Sequence, residues 1–122
     1  MNDLIQLNTT VLGYDITACA KKTGGDWSIT ITGGCASHVG SVSLAEYHDG
    51  TIVVRSIVRD GHKDQVVGER FAQRIAQEGR CNVCVCCGIH YDAPTEDDLL
   101  TIVAAAEELL DELCDAIQLK NV

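Results

Sequence analysis

The alternation of apolar and polar residues between positions 10 and 58 is the feature that most limits the fold. A period of two is typical of a half-buried β-strand, and short turns rich in Gly and Asp join antiparallel neighbours. Such turns stand at Thr23-Gly24-Gly25-Asp26 and at His48-Asp49-Gly50. The predicted strands are Thr10–Lys21, Trp27–Thr32, Val39–Glu46 and Thr51–Val58. The first half of the chain is therefore expected to form antiparallel hairpins.

The period changes to that of an amphipathic helix after Gly61. Val67, Phe71 and Ile75 recur every four residues. This spacing places the three side chains on one side of a helix, which we predict over about residues 63–77.

A strand rich in cysteine follows at residues 81–87, and a long helix ends the chain. Thr95-Glu96-Asp97-Asp98 resembles a capping box at the start of that helix, with Asp where Glu is usual. The element order is ββββαβα. It predicts a single α+β domain over residues 1–122, with a mostly antiparallel sheet and both helices on one face.

The net charge of −9 is unevenly distributed along the chain. Residues 95–122 hold eight acidic residues and one basic residue, a charge of −7, so residues 1–94 carry −2. Nucleic-acid binding needs clustered Lys and Arg, which argues against that class of partner. The longest apolar stretch is too short to span a bilayer, and the N-terminus lacks a secretory signal. We expect a cytoplasmic chain with no membrane partner.

Four of the seven cysteines lie in Cys81-Asn82-Val83-Cys84-Val85-Cys86-Cys87. On a strand, Cys81 and Cys87 face one side and Cys84 and Cys86 the other. The CxxC pair therefore cannot bind one ion together, and no second CxxC completes a zinc ribbon. We interpret these cysteines as small apolar core residues; a redox or metal-binding role is the alternative.

Three glycine-containing segments near strand ends each carry a histidine. They are Gly33-Gly34-Cys35-Ala36-Ser37-His38-Val39-Gly40, Gly61-His62-Lys63-Asp64 and Gly88-Ile89-His90-Tyr91-Asp92. Loops at strand ends present functional groups, and glycine there lets the backbone approach a ligand. His90 and Asp92 are two positions apart and leave an extended chain on one face. With His38 and His62 they make a set suited to a transition metal. The alternative is that each histidine is a hydrogen-bonded structural residue.

The start of the first predicted helix is a candidate phosphate site. Free backbone N–H groups and a partial positive charge attract anions there, and Lys63 beside His62 adds a full charge. The alternative is a capped helix start that faces solvent. Catalytic templates are lacking, since the sequence contains no GxSxG, Walker loop, HExxH or GxGxxG opening a helix.

The segments GG-CAS-HVGSVSLA, GHKD before a helix and GIHYDAPTEDDL, in this order, resemble a known family. It comprises the small accessory D subunits of non-oxidative hydroxyarylic-acid decarboxylases. Those decarboxylases use prenylated flavin mononucleotide (prenylated FMN), and the small subunits are described as chaperones of that cofactor. The resemblance runs from about Trp27 to the final helix. It implies a non-catalytic accessory protein that binds prenylated FMN, through its phosphate and a divalent ion, and delivers it to an apo-decarboxylase.

The resemblance also implies which residues form the site. The cofactor-binding residues would be Gly33, Gly34, His38, Gly40, His62, Lys63 and Asp92, and the metal-binding residues His38, His62 and His90. The cysteine-rich strand is not part of the family pattern.

Two other functions remain open from the sequence. One is a small metal-dependent enzyme that activates water with the set His38, His62, His90 and Asp92. The other is a structural subunit whose acidic final helix docks a basic partner. An exposed apolar edge strand of the predicted sheet favours a homodimer in either case.

Overall fold

The computed structural model describes residues 3–60 and 64–120, with the backbone alone for Leu119 and Lys120. The elements are β1 (Leu4–Val11), β2 (Tyr14–Thr23), β3 (Asp26–Gly34), β4 (Ser41–His48), β5 (Thr51–Val58), α1 (Gln65–Gly79), β6 (Val83–His90) and α2 (Glu96–Lys120). The strands form one sheet in the order β1-β2-β3-β6-β4-β5. Neighbouring strands are antiparallel except β3 and β6, which run parallel. The predicted α+β class with a mostly antiparallel sheet is confirmed.

Both helices cover the same face of the sheet, as the alternation predicted. Helix α1 packs against β4, β5 and β6, and α2 packs against β1 and β2. On β2, β3, β4 and β6 most residues that point to this face are buried. The largest buried side chains facing it from the helices are Phe71, Ile75, Leu109, Leu110 and Leu113. Burying one such side chain stabilises the fold by about 1.5–3 kcal/mol.

The prediction of one strand from Thr10 to Lys21 was wrong at Leu12 and Gly13. These two residues form a tight turn between β1 and β2, which adds a first strand before those predicted. Both have positive φ, 52° and 84°, as a two-residue hairpin turn of type I′ requires. Leucine rarely occupies a position with positive φ, so this apolar residue did not indicate a turn.

The start of α2 agrees with the sequence pattern. The backbone N–H of Thr95 donates to Asp98 Oδ2 at 3.0 Å, and the Asp98 N–H donates to Thr95 Oγ1 at 3.0 Å. This reciprocal pair is a capping box in which Asp replaces Glu. Among residues 3–60 and 64–120, neither helix is long and apolar enough to cross a bilayer.

The cysteines in and just before β6 also lie as predicted. Cys81 and Cys87 are buried on the helix side, whereas Cys84 and Cys86 are half-buried on the other side of the sheet. Burial raises the pKa of the Cys87 thiol to about 12. These positions support a packing role for Cys81 and Cys87.

Candidate functional site

The parallel pairing of β3 with β6 creates the edge of the sheet where the site lies. Gly34 at the end of β3 pairs with His90 at the end of β6. The chain then crosses over the end of β6 to enter β4 on its far side. Two backbone hydrogen bonds fasten this crossing loop, Cys35 N–H to His90 O at 2.7 Å and Gly40 N–H to Cys87 O at 2.9 Å. Crevices beyond the carboxyl ends of parallel strands are common ligand sites.

His38, in the crossing loop, has an acceptor beside each ring nitrogen. Nδ1 lies 3.1 Å from the carbonyl oxygen of Ala36, and Nε2 lies 3.1 Å from Oδ2 of Asp64. Carbonyl and carboxylate oxygens accept hydrogen bonds, so each contact is a hydrogen bond when the nitrogen that faces it carries a proton. Both ring nitrogens of His38 therefore already face oxygen atoms of the protein.

Asp64 is a buried residue of the site that no sequence pattern indicated. It is only 8% exposed, and its Oδ1 accepts the backbone N–H of Ile89 at 3.0 Å while Oδ2 contacts His38. The carboxylate therefore joins the crossing loop, the start of α1 and the end of β6. Asp64 occupies the N-cap position of α1, but its side chain makes no capping hydrogen bond there. No local pattern identifies such a long-range contact.

His90 and Asp92 form the exposed part of the site. Nε2 of His90 lies 2.9 Å from Oδ1 of Asp92, so the two side chains leave the chain on the same side, as their spacing predicted. The ring of His90 meets that of His38 edge to face, with centroids 6.4 Å apart. The structure thus brings together three of the predicted residues. His62 and Lys63 lie outside the described residues.

The glycines of the site allow its segments to pack closely. A Cβ added to Gly40 would lie 1.9 Å from Asp64 Oδ2, and one added to Gly88 would lie 1.5 Å from the carbonyl oxygen of His38. At Gly34 it would lie 2.1 Å from the carbonyl oxygen of His90, and at Gly33 2.2 Å from that of Asp15. Contact between protein segments is therefore enough to require glycine at these positions.

A positively charged group and the start of a helix lie beside the crossing loop. The Arg59 guanidinium donates from Nη1 to the carbonyl oxygen of Val39 at 2.8 Å. The backbone N–H of Arg59 donates to Gly40 O at 2.9 Å. Helix α1 begins at Gln65, and its first turn holds no acidic side chain. The N–H groups of that turn and the arginine are both suited to an anion.

Two tyrosines border the same edge. The rings of Tyr14 and Tyr91 meet edge to face with centroids 6.0 Å apart, and the Tyr91 hydroxyl donates to Val11 O at 2.8 Å. Interaction with the Cys35 side chain raises the pKa of Tyr14, and burial raises that of Tyr91. Both hydroxyls therefore stay neutral near pH 7. No local sequence pattern indicated these residues, because the pairing joins β2 to the end of β6.

The described part of the chain holds no group of three or more His, Cys, Asp or Glu side chains placed to bind a metal ion. The alternative of a metal-dependent enzyme needs an ion that activates water, and this geometry gives that alternative no support.

A separate cleft of about 490 Å³ lies between α1 and α2, and its lining includes Val66, Phe71 and Val103.

Comparison with known proteins agrees with the resemblance in the sequence. Residues 10–118 match the family described as the prenylated flavin chaperone LpdD-like domain. Protein LpdD of Lactiplantibacillus plantarum is 32% identical over 109 residues, which cover 86% of this chain and 76% of that protein.

A solved structure has the same fold. It is titled as a chaperone complex for yeast 20S proteasome assembly, with a TM-score of 0.53 and 16% identity. The match covers 96% of this chain and 97% of the other. At this identity the likeness concerns the fold alone.

Proposed function

The chain belongs to the prenylated flavin chaperone family, and on that premise we propose that it binds prenylated FMN and delivers it to a non-oxidative aromatic-acid decarboxylase, or stabilises it for that enzyme. Family membership supports a non-catalytic accessory role. The observation that carries the proposal is the meeting of His38 and His90 at the shared end of β3 and β6.

The donors at this edge fit the phosphate of the cofactor. The half-exposed His90, the Arg59 guanidinium and the first turn of α1 offer N–H groups, which phosphate oxygens accept. The two oxygens of the buried Asp64 are already engaged within the protein, by His38 and by the Ile89 N–H. His62 and Lys63 would add donors at the start of α1.

The tyrosine pair fits the flavin ring system. Tyr14 is about half-exposed and presents an aromatic surface near the glycines at the end of β3. Aromatic side chains combine apolar area with a polar tip, which suits a ring bearing carbonyl and N–H groups. When bound, the cofactor supplies an electron-accepting ring; the residues of this chain bind and orient it.

The exposure of the site suits transfer of the cofactor to a partner. His90 and Asp92 are both exposed, and nothing among the described residues covers them. A carrier must release its ligand, so a site on an open edge allows a decarboxylase to approach the bound cofactor. We propose a prenylated-flavin-dependent decarboxylase as that partner.

A divalent ion bound by His38, His62 and His90 is a second, separate proposal. It requires His38 to give up its contact with Asp64 or with Ala36, because metal binding needs a nitrogen lone pair. Elemental analysis of the purified protein tests it. Near-stoichiometric metal that falls strongly in His90→Ala supports the ion, and equal content in both proteins contradicts it.

We also propose a cytoplasmic location and a homodimer. All seven cysteines are free, as expected in a reducing compartment.

The binding proposal is tested by mixing the purified chain with prenylated FMN without oxygen, followed by gel filtration. The wild-type protein should elute with the absorbance of the cofactor. His90→Ala should lose most of it, whereas His48→Ala should retain it, since His48 is an exposed residue at the far end of β4. A colourless wild-type protein, or equal binding by both variants, would contradict the proposed site.

A further inference from the structure

The first halves of the two helices lie side by side and form the cleft of about 490 Å³. The Arg70 guanidinium donates to Glu107, and that of Arg74 donates to Asp111. Each of these ion pairs joins residues 37 positions apart, so the two helices run in the same direction. Both helices begin at the edge of the sheet that carries the candidate site, since α1 follows Asp64 directly and α2 starts shortly after β6 ends. The cleft therefore lies in the halves of both helices that are nearer to that edge.

Exposed apolar side chains extend from this cleft along α2. Val66 and Val103 line the cleft and are 70% and 50% exposed. Leu99 and Leu100 precede Val103 by four and three positions, so the three side chains are neighbours on α2. Leu100 is 69% exposed. We call Val66, Leu99, Leu100 and Val103 the cleft surface. A group of neighbouring exposed apolar side chains marks an interaction site.

The polar side chains of the cleft favour a helix over a small molecule as its occupant. Sites for small molecules hold a few polar groups that converge on the ligand. In this cleft, Arg70 and Glu107 already bond to each other. Glu69 accepts from the Ser56 hydroxyl at 2.6 Å and from the Gln65 amide at 3.1 Å. A groove between two parallel helices with an apolar lining suits the apolar face of a third helix.

The charge around the cleft surface favours a basic occupant. Glu96 lies four positions before Leu100, and Glu107 lies four positions after Val103, so acidic residues flank the apolar side chains at both ends. Residues 96–112 of α2 hold seven acidic residues and no basic one. The two arginines of α1 pair with Glu107 and Asp111. The other five acidic residues are Glu96, Asp97, Asp98, Glu108 and Glu112. Lys and Arg side chains of a partner complement such a surface.

We propose that the cleft binds an amphipathic helix of the decarboxylase that receives the cofactor. The apolar side chains of that helix pack on the cleft surface, and its Lys or Arg side chains lie along the acidic residues of α2. Val103 is seven positions after the start of α2, about 10 Å along the helix. A decarboxylase held there is close to the cofactor at the ends of β3 and β6. This inference rests on the proposed function, because it names the surface that holds the proposed partner.

Biolayer interferometry of the full, cofactor-free chain against an immobilised prenylated-flavin-dependent aromatic-acid decarboxylase without its cofactor tests the inference. Leu100→Lys and Val103→Lys should each raise the Kd at least about tenfold, because each places a charge in an apolar contact and repels a basic helix. Gln118→Lys is the matched control, since it adds the same charge at an exposed position near the other end of α2. Raising the salt concentration should weaken binding by the wild type, because salt screens the acidic residues.

Gel filtration with prenylated FMN separates this inference from the proposed function. Leu100→Lys and Val103→Lys should still elute with the cofactor and keep the wild-type circular dichroism spectrum, because both residues are exposed and lie outside the candidate site. If they bind the decarboxylase as tightly as Gln118→Lys does, the cleft is not the docking surface. A wild-type chain that carries the cofactor but does not bind the decarboxylase would also overturn the proposal. So would a change of sedimentation coefficient in these two variants alone, which would place a second copy of this chain in the cleft.

Discussion

Nε2 of His38 lies 3.1 Å from Oδ2 of Asp64, although 26 positions separate the two residues in the sequence. The second oxygen of the same carboxylate accepts the backbone N–H of Ile89. A single buried carboxylate therefore fixes the crossing loop, the start of α1 and the end of β6 relative to one another. The geometry of the proposed cofactor site depends on this residue.

Replacing Asp64 by Asn should destabilise the fold and weaken cofactor binding. The amide oxygen can still accept the Ile89 N–H, but the amide nitrogen is only a donor, so the charge-assisted bond between the carboxylate and His38 is replaced by a neutral one at most. We expect the free energy of unfolding to fall by about 1–3 kcal/mol, measured by urea denaturation. Asp49→Asn, in an exposed turn, is the control and should change little. Equal effects of the two substitutions would show that Asp64 has no special role.

Gly40→Ala should disturb the contact between His38 and Asp64, because Gly40 packs against the Asp64 carboxylate. The new methyl group would lie 1.9 Å from Asp64 Oδ2, so the carboxylate or the loop must move. A clash of this kind typically costs about 1–3 kcal/mol, and we expect a lower melting temperature with weaker prenylated FMN binding. Gly25→Ala is the control, since no atom lies within 4 Å of its added Cβ. An unchanged melting temperature for Gly40→Ala would contradict the packing described.

The stability of the chain should decrease at alkaline pH because of Cys87. Burial raises the pKa of its thiol from 9.0 to about 12. Between these values the unfolded chain loses a proton that the folded chain keeps, so the contribution is complete below pH 9 and falls as the pH rises. Over the whole range between pH 9 and pH 12, the free energy of unfolding should fall by about 4 kcal/mol.

Urea denaturation at a series of pH values from 8 to 11 measures this effect. Cys87→Ala should show a shallower decrease in unfolding free energy with pH than the wild type. Cys84→Ala, on the half-buried side of β6, should keep the wild-type slope. Identical slopes in all three proteins would rule out this origin for the pH dependence.

The capping box of α2 should contribute measurably to stability. Thr95→Ala removes the hydroxyl that accepts the Asp98 N–H, which should cost about 1 kcal/mol. Thr101→Ala removes a hydroxyl that bonds within the helix, to the carbonyl oxygen of Asp97. Such internal bonds add little to helix stability, so this control should lose much less. A larger loss for Thr101→Ala than for Thr95→Ala would contradict this assignment.

Periodicity predicted most of the fold because each element has one face in the core. The period of two predicted three hairpin strands and the sides of the sheet on which Cys84 and Cys87 lie. The period of about four predicted both helices. The turn at Leu12 and Gly13 could not be predicted, because its first residue is apolar. The parallel pairing of β3 with β6 has no local signal, since it depends on a crossover that spans β4, β5 and α1.

The site was predicted only where its contacts are local. His90 and Asp92 are two positions apart, so their shared side of the chain could be predicted. The meeting of His38 with His90 needs the β3–β6 pairing, and the part played by Asp64 needs its burial. Neither contact can be predicted from the residues that adjoin it in the sequence.

Chemical shifts of the backbone amides during titration with prenylated FMN, in the absence of oxygen, test the central claim most directly. The account predicts that the largest changes fall on Gly34, His38, Gly40 and His90, with Leu44 on β4 and Ile57 on β5 little affected. No change at the ends of β3 and β6, or changes confined to the cleft between α1 and α2 around Val66 and Val103, would contradict it.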